Sequence, residues 1–367
     1  MDRKKKIVFT VTTDLSYDQR MQRICTSMAA YGFDVELVGR LRSKSIPLDE
    51  LSYTQTRIAC KFEKGILFYL EFNIRLFLFL LKHEADIVSA VDVDTLLACT
   101  LVAKMRNKTL VFDAHEYYTE SPEIVNRPII KWIWEAVSEL CIPRADAAYT
   151  VGPMLAELMG KKYGIHFSCV RNVPFSIKIS NQQIQKSSTH KIILYQGAMN
   201  GGRGIEESIL AMKQVNAELW LAGDGDLMAE LKQLVSDNQL NDKVKFLGYV
   251  KPAELKAITQ EAYLGLNLLQ PIGLSYYYSL ANKFFDYMQQ GIPCISANFP
   301  EYQAINEQYH CTLLSSCDVN EIANSINALL NDEELYKTLK ANCLKAKEDF
   351  CWEKEEQKLI EIYRKLN

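Results

Sequence analysis

The chain has 367 residues, of which 48% are hydrophobic and 24% charged, and its formal net charge is -3. That length suggests about two domains of roughly 150 residues each, the composition is that of a globular protein, and the slight negative charge argues against a general nucleic-acid binder. The ten cysteines form no CxxC pair, which excludes the usual zinc and thioredoxin signatures and indicates a reducing, cytosolic compartment.

Short apolar runs alternate with helical patterns in two series. The strand candidates of the first half are Ile7–Val11, Val35–Val38, Asp86–Val91, Thr109–Asp113, Ala147–Val151 and Ser168–Val170. Those of the second half are Lys191–Tyr195, Glu218–Ala222, Val244–Leu247, Tyr263–Leu268, Pro293–Ser296 and Thr312–Leu314. Strand–helix alternation predicts βαβ units and parallel sheets. We therefore expect an α/β fold of two facing Rossmann-like domains, each a doubly wound and mainly parallel sheet, with ligands in the cleft between them.

The domain boundaries follow from composition. The segment Ser176–His190 is polar and rich in Ser and Gln, which predicts a linker between domains at 1–175 and 191–345. Residues 346–367 are predicted to end in an amphipathic helix that packs back on the body of the protein. The run Gly65–Leu81 is unusually apolar but shorter than the roughly 20 residues that a membrane span needs. It is interpreted as a helix buried on most of its faces, with a membrane-surface helix as the alternative.

In the first half, polar residues follow three strand candidates. The loop Thr12–Arg23 carries Asp14, Asp18, Arg20 and Arg23, which either contact an acceptor or phosphate or serve as helix caps and ion pairs. Asp92 and Asp94 end another strand and leave the same two alternatives. The run VFDAHEYYTESP, residues 111–122, delivers Asp113, His115 and Glu116 to the end of a strand, with Glu120 close behind. His115 either hydrogen-bonds a sugar hydroxyl and positions an acceptor or only structures its own loop.

A glycine-rich loop opens the second half. In YQGAMNGGRGIEESIL, residues 195–210, a strand ends at Tyr195, a loop with Gly197, Gly202 and Arg203 follows, and a helix begins near Ile205. Glycine lets the backbone approach a ligand, the helix start offers free N–H groups, and an Arg fork suits phosphate. This pattern predicts a phosphate site, against the alternative of a plain glycine-rich turn.

The segment QPIGLSYYYSLANKFFDYMQQGIP, residues 270–293, supplies a second cluster. Lys283 and Asp286 are three residues apart and share a helix face, so that a cation for phosphate lies beside a carboxylate for ribose hydroxyls. By itself this would be no more than a surface Lys–Asp pair. Together with the glycine loop it indicates a nucleotide-diphosphate site.

These two segments resemble the nucleotide-sugar half of retaining glycosyltransferases of family 4, which have the GT-B fold. Gln270-Pro271-Ile272-Gly273-Leu274 resembles the family's Glu-Pro-Phe-Gly-Leu, and Asp286-Tyr287-Met288 with Gly291 and Pro293 resembles its Glu-Ala-Met and Gly-x-Pro. The chain departs from the family at Ala198, where an Arg is usual, and at Gln270, where a Glu is usual; Lys283 is expected to supply the missing charge.

The resemblance implies roles for individual residues. Arg203 and Lys283 would contact the diphosphate and, with His115 beside the reacting sugar, form the catalytic set. The donor would be bound by Gly197, Gly202, Gly223, Gly273, Leu274 and Asp286. The acceptor side, in the domain of residues 1–175, would include Asp14, Arg20 and Glu116.

The resemblance also implies a reaction. We expect a cytoplasmic retaining hexosyltransferase, either free or at the inner face of the membrane. It would use a nucleotide-diphosphate sugar as donor and need no cofactor and no metal. Its acceptor would be a carbohydrate or a lipid-linked molecule, such as a surface-polysaccharide precursor. A nucleotide-sugar epimerase and a non-catalytic nucleotide-sugar-binding protein are the alternatives, because fold does not dictate reaction. The triplets Asp92-Val93-Asp94 and Asp224-Gly225-Asp226 resemble a metal-binding Asp-x-Asp motif, but two sheet domains argue against that architecture. A dinucleotide GxGxxG and a Walker A sequence are both absent from the sequence.

Overall fold

The computed structural model of the protein describes residues 3–16, 18–178 and 191–366. The chain divides into two compact units, Met1–Arg171 with Glu356–Asn367 and Asn172–Glu355. The polypeptide therefore leaves the first unit after Arg171 and returns to it at Glu356. The predicted linker Ser176–His190 lies outside the described residues from residue 179 onward.

The first unit contains a seven-stranded sheet in the order β3-β2-β1-β4-β5-β6-β7. Every neighbouring pair of strands is parallel. The strands are β1 Lys6–Thr10, β2 Asp34–Leu41, β3 Thr54–Ala59, β4 Ile87–Val91, β5 Thr109–Ala114, β6 Ala147–Thr150 and β7 Phe167–Cys169. The strand order reverses direction between β1 and β4, and a crevice for ligands forms beyond the carboxyl ends of strands at such a point.

Six of these strands were predicted. Five of them lie within one residue of the prediction at each end, and β2 ends three residues later than predicted. β3 was missed, because its sequence TQTRIA is mostly polar and partly exposed. An edge strand is paired on one side only, so it does not need the continuous apolar run that marks a buried parallel strand.

The helices of the first unit cover the sheet. They are Gln19–Tyr31, Gly65–Lys82, Val93–Arg106, Pro122–Val125, Pro128–Cys141 and Pro153–Tyr163, with short 3₁₀ turns at Tyr118–Glu120 and Ile142–Arg144. Among the described residues, no helix has both the length and the apolar character needed to cross a membrane.

The apolar segment Gly65–Leu81 does form a helix, Gly65–Lys82, but the expectation that it is buried on most of its faces was wrong. Only Phe68, Phe72, Leu76 and Leu80 are buried, at a strict spacing of four residues. Five other large apolar side chains of the helix, Ile66, Leu67, Leu70, Ile74 and Leu78, are each about half exposed. The helix therefore packs through a single narrow stripe.

The second unit contains a six-stranded parallel sheet in the order β10-β9-β8-β11-β12-β13. Its strands are β8 Ile192–Gln196, β9 Glu218–Ala222, β10 Val244–Gly248, β11 Leu264–Asn267, β12 Cys294–Ala297 and β13 Thr312–Ser315, each within one residue of its prediction. The helices are Ile205–Ala211, Met228–Asp237, Pro252–Glu261, Gly273–Tyr277, Asn282–Gln289, Pro300–Tyr309, Val319–Asn331 and Glu333–Ala346, with a 3₁₀ turn at Met212–Gln214. The order reverses between β8 and β11.

The last helix, Trp352–Arg364, belongs to both units because the boundary between them falls at Glu355. At its start Trp352 is fully buried, and its backbone N–H donates to the carbonyl of Pro174 at 2.9 Å. Near its end Tyr363 is buried against Phe9 and Tyr149 of the first sheet.

Candidate functional site

The glycine-rich loop of the second unit leaves β8 and enters the helix Ile205–Ala211. Gly197, Gly202 and Gly204 have φ values of 134°, 76° and 64°, a region that side-chain-bearing residues rarely adopt. A Cβ at Gly202 would lie 2.7 Å from Ile272 Cδ1, and the Gly202 carbonyl accepts from the backbone N–H of Gln270 at 2.8 Å. This loop is thereby attached to the one that follows β11.

A second glycine contact joins the same loop to the turn after β9. The Gly197 N–H donates to the Ala222 carbonyl at 3.0 Å, and a Cβ at Gly223 would lie 1.8 Å from the Gly197 carbonyl oxygen. The Met199 N–H in turn donates to the Asp224 carbonyl at 3.0 Å. Gly223, in the turn of LAGDGD, is therefore needed for the close approach of two backbones, and its contact with a donor stays a prediction.

Two cations lie beside this loop. The Lys283 ammonium is buried 3.7 Å from the ring centre of Tyr195, and its Nζ has no hydrogen-bond partner in the described part of the chain. Burial, and then the charge of Arg203, lowers the pKa of Lys283 well below its usual value. Arg203 lies over the Tyr276 ring at 5.7 Å, and its Nε is buried without a partner within the described residues. Two neighbouring, incompletely paired cations are an arrangement that a bound anion would relieve.

Asp286 lies one turn beyond Lys283 on the helix Asn282–Gln289. Its Oδ2 accepts from Gln196 Nε2 at 2.9 Å, and Gln196 Oε1 accepts from the Thr259 hydroxyl at 2.9 Å. The helix is held against the sheet by Tyr287, whose hydroxyl donates to the Leu194 carbonyl at 2.9 Å. Asp286 is thus fixed at the carboxyl end of β8.

The remaining donor-side candidates follow β11. Gly273, with φ 71°, begins the short helix Gly273–Tyr277, and Leu274 is partly exposed. Gln270, at the position where the resemblance places a Glu, donates from Nε2 to Glu207 Oε1 at 2.6 Å. The structure therefore brings the loops and helices that carry all six donor-side candidates to the carboxyl edge of one sheet, which has its switch point between β8 and β11.

In the first unit, His115 lies at the end of β5 between two carboxylates. Its Nε2 is 3.2 Å from Asp113 Oδ2, its Nδ1 is 3.6 Å from Asp92 Oδ2, and its backbone N–H donates to Asp92 Oδ1 at 2.9 Å. Burial alone would lower the pKa of His115, but the charges of Asp113 and Asp92 outweigh it and raise that pKa to about 9. The ring is therefore an imidazolium, a hydrogen-bond donor, at neutral pH.

The carboxylates of Asp92 and Asp94 have raised pKa values, whereas the pKa of Asp113 is lowered. Burial raises the pKa of Asp92 to about 7, against the opposing charge of His115. Burial also raises the pKa of Asp94 to about 6, although the Thr12 hydroxyl donates to its Oδ2 at 2.5 Å. Asp92 has a positive φ of 58°, which is uncommon outside glycine. Perturbed carboxylates and backbone strain both concentrate at functional sites.

The acceptor-side candidates are held in ion pairs. Arg20 is buried, and its guanidinium donates to Asp113 Oδ1 at 3.0 Å and to the Val170 carbonyl. Asp14 is also buried; it accepts from Arg57 at 2.6 Å and from the Ser45 hydroxyl. Of the two alternatives for these residues, the geometry favours ion pairs. Glu116, next to His115, is half-buried.

The other charged candidates have local partners. Asp18 caps the helix Gln19–Tyr31 by accepting from the Met21 N–H, and Glu120 pairs with Lys131. Within residues 3–16, 18–178 and 191–366, no group of three or more His, Cys, Asp or Glu side chains is arranged to hold a metal ion.

Sequence reasoning missed several residues that build these sites. Tyr195 and Tyr276 surround the two cations, Gln196 orients Asp286, and Glu207 accepts from Gln270. One signal was available for Gln196: it is a polar residue that directly extends the apolar run IILY of β8. The pairing of Glu207 with Gln270 spans 63 positions in sequence and had no local signal.

Two family models match the chain in tandem. Residues 19–178 match the model of Glycosyltransferase Family 4, and residues 176–346 match that of Glycosyl transferases group 1. The first match falls on the unit that carries His115 and the second on the unit that carries Lys283.

Individual known proteins are similar to this chain in sequence over a part of it or in fold. An uncharacterized glycosyltransferase of Methanocaldococcus jannaschii, MJ1607, is 31% identical over 110 residues, a stretch that spans 28% of this chain and 28% of that protein. Sucrose-phosphate synthase from Thermosynechococcus elongatus superposes with a TM-score of 0.80 at 18% identity, covering 99% of both chains. HepE of Anabaena, solved with UDP and glucose, superposes with a TM-score of 0.77 at 16% identity, covering 98% of this chain and 99% of that one. The chain has the GT-B fold and belongs to the glycosyltransferases of the group 1 and family 4 type.

Proposed function

We propose that this glycosyltransferase moves a hexose from a nucleotide-diphosphate sugar to a carbohydrate or lipid-linked acceptor, such as a surface-polysaccharide precursor, with retention of anomeric configuration and without a divalent metal. A UDP-sugar is the first donor to test, because HepE was solved with UDP and with UDP-glucose. The observation that carries the proposal is the buried Lys283 ammonium, which lacks a hydrogen-bond partner in the described chain and lies beside a glycine-rich loop.

A diphosphate fits this place for an electrostatic reason. Burying a charge in a protein interior without a counter-charge costs on the order of several kcal/mol per ion. Lys283 and Arg203 offer two positive charges to the oxygen atoms of a diphosphate, and Lys283 lies directly beside Gly197 of the glycine-rich loop. Asp286, held by Gln196, is placed to accept from the hydroxyls of a ribose.

The same groups would act in the transition state. As the bond between sugar and diphosphate breaks, negative charge grows on the leaving phosphate and positive charge on the sugar ring. Lys283 and Arg203 stabilise the phosphate charge from fixed positions, which is the form of catalysis that fixed donors provide best. In this proposal they supply the charge that a divalent cation supplies in other transferases.

His115 and Glu116 are proposed to contact the sugar or the acceptor. His115 is an imidazolium at neutral pH, so it would donate to a sugar hydroxyl rather than remove a proton from one. Arg20 and Asp113 are positioning residues in this scheme, because they hold the ring through an ion pair and do not themselves need to touch substrate.

The first experiment is a thermal-shift panel with UDP, GDP, ADP, CMP and NAD, each with and without a chelator. A ligand that binds only the folded protein at about 100 times its dissociation constant should stabilise it by roughly 2.7 kcal/mol. A shift with one nucleoside diphosphate that persists in chelator supports the proposal. A shift with NAD alone, or one that the chelator abolishes, contradicts it.

Two variants test the cations directly. Lys283→Met removes a buried unpaired charge at similar volume, so we expect the free protein to become more stable while the nucleotide-induced shift is lost. Arg203→Ala should lower turnover by about 10²–10³-fold, the cost of removing one electrostatic donor. Lys245→Met is the control, because Lys245 is half-exposed in an ion pair with Glu218. Unchanged nucleotide binding in Lys283→Met would refute the site.

Product analysis separates the remaining alternatives. A transferase consumes donor only as acceptor is glycosylated, and the anomeric proton of the product reports retention. An epimerase would yield free UDP with sugar, or an isomerised donor, without any acceptor. A non-catalytic binding protein would show the nucleotide shift and no turnover.

A further inference from the structure

Three adjacent helices of the first unit present apolar side chains to solvent. The helix Val93–Arg106 packs against both Gly65–Lys82 and Pro128–Cys141. Tyr69 and Trp134 bring the two outer helices together, with ring centres 5.2 Å apart. The outward side chains, which we call the apolar face, are Ile66, Leu67, Leu70, Ile74, Leu78, Leu101, Met105, Ile129, Trp132, Ile133 and Leu140.

The helix Pro128–Cys141 carries apolar side chains on its outward face as well as on its inward face. Trp134 points inward, where its ring meets those of Tyr69 and Tyr118. Ile129 and Trp132 point outward and are 73% and 69% exposed. Single exposed apolar residues are ordinary, but a set of this size on adjacent helices marks an interaction surface.

The segments that carry the apolar face are basic, although the whole chain is slightly acidic. Residues 61–82, 101–108 and 126–144 contain ten Lys or Arg and four Asp or Glu, whereas the chain has a net charge of -3. Lys61, Lys64, Lys82, Lys104 and Arg127 are all exposed. These segments therefore carry six more basic than acidic residues (10 minus 4), whereas the whole chain carries three fewer (42 minus 45).

We propose that the apolar face docks on a bilayer surface that contains anionic lipid, with the helices Gly65–Lys82 and Pro128–Cys141 lying in the headgroup region. Apolar side chains beside Lys and Arg, with an outward Trp, are the composition of helices that lie in the membrane interface. Protein interfaces, in contrast, are depleted in Lys. The basic residues would be attracted to the negative surface potential of the lipid.

The docking needs no donor, acceptor or turnover, so it can be tested apart from the proposed reaction. The full chain is sedimented with vesicles of phosphatidylcholine alone and of phosphatidylcholine mixed with phosphatidylglycerol. We expect binding to the mixed vesicles that weakens as salt is added, because the charge contribution is screened.

The variant Ile129→Glu/Trp132→Glu should lower the affinity for mixed vesicles by about tenfold or more, because it removes two of the most exposed apolar side chains from the interface. Ile46→Glu/Leu51→Glu is the matched control: it places the same two charges at exposed apolar residues of the first unit outside the apolar face. All four positions are exposed, so the variants should fold, and an unchanged thermal unfolding curve would confirm that they do.

A spectroscopic readout tests the orientation. Trp132 in the headgroup region should shift the tryptophan emission to the blue when mixed vesicles are added. Trp132→Phe should keep binding but lose most of that shift, because Trp134 packs inward on Tyr69 and Tyr118, and Trp220 and Trp352 belong to the second unit. The proposal is overturned if the wild type does not bind mixed vesicles, if Ile129→Glu/Trp132→Glu binds as well as the wild type, or if sedimentation velocity shows a dimer that this variant abolishes.

Discussion

Lys283 and His115 are two partly or fully buried cations at the carboxyl edges of their sheets, and their surroundings differ. Lys283 has an aromatic ring and a second cation nearby, so its charged form is disfavoured. His115 has two carboxylates, so its charged form is favoured. The first arrangement leaves an amine whose charged form a bound anion would stabilise, and the second holds a donor in one protonation state.

The pH dependence of His115 is the prediction at this scale. Its folded pKa of about 9 lies above the ordinary value of 6.5, so the protonation of His115 contributes stability that is fully present below pH 6.5 and is lost as pH rises through about 9. The shift corresponds to about 3 kcal/mol at 1.36 kcal/mol per unit. An NMR titration of the imidazole Cε1 proton should show the transition near pH 9.

The variant Asp92→Asn should lower that midpoint, because it removes one of the two carboxylates that stabilise the imidazolium. Asp34→Asn is the control, since Asp34 is exposed at the amino end of β2, the opposite edge of the sheet. A midpoint below 6.5 in the wild type would contradict the charged state and, with it, the donor role of His115.

Among the elements, the loop after β8 and the turn after β9 form one framework, because two backbones meet where only a glycine fits. Gly223 has a φ of 154° and no space for a Cβ, whereas Gly248 has a φ of 67° with nothing within 4 Å of a Cβ, and Gly201 has neither constraint. These three glycines separate the effect of a clash from that of a strained φ.

We expect Gly223→Ala to destabilise the second unit most and to abolish the nucleotide-induced thermal shift, because the Gly197 carbonyl must move away. Gly248→Ala should cost about 1–2 kcal/mol, the cost of a left-handed conformation, and Gly201→Ala should be nearly neutral. Thermal unfolding of all three variants, with and without UDP, measures the order. Equal losses at Gly201 and Gly223 would show that the loops do not meet as described.

For the molecule as a whole, the end of the chain completes a unit that began more than 300 residues earlier. Tyr363 is buried on the first sheet, where its hydroxyl lies 2.9 Å from Ser89 Oγ and its ring 5.8 Å from that of Phe9. The first unit therefore acquires its last helical segment only after the second unit has been synthesised.

Tyr363→Ala should destabilise the first unit by about 3–5 kcal/mol, the usual cost of deleting a large buried aromatic side chain. Tyr363→Phe should cost about 1 kcal/mol, because it removes only the hydroxyl contact. Arg364→Ala, at the next and exposed position, is the control.

Proteolysis of the Tyr363→Ala variant followed by mass spectrometry should report cleavage in the first unit before the second. If the Tyr363→Ala variant loses nucleotide binding at the same temperature at which its first unit unfolds, the two units do not unfold separately.

Local sequence patterns were enough to predict twelve of the thirteen strands in the described part of the chain, the glycine loop and the helix that carries Lys283 and Asp286. Buried parallel strands read as short apolar runs, and a glycine loop before a helix is a local pattern, so neither depends on distant residues. The same local basis failed for β3, an edge strand without an apolar run.

Tertiary structure alone decided which polar residues have partners and which apolar residues do not. Asp14 and Arg20 are paired across 43 and 93 positions of sequence, whereas Lys283 has no hydrogen-bond partner among the described residues. The apolar helix Gly65–Lys82 is buried on one stripe because a single neighbouring layer, rather than two, covers it. Amino-acid type determines whether a side chain needs a partner, but only the packing of distant elements determines whether it finds one.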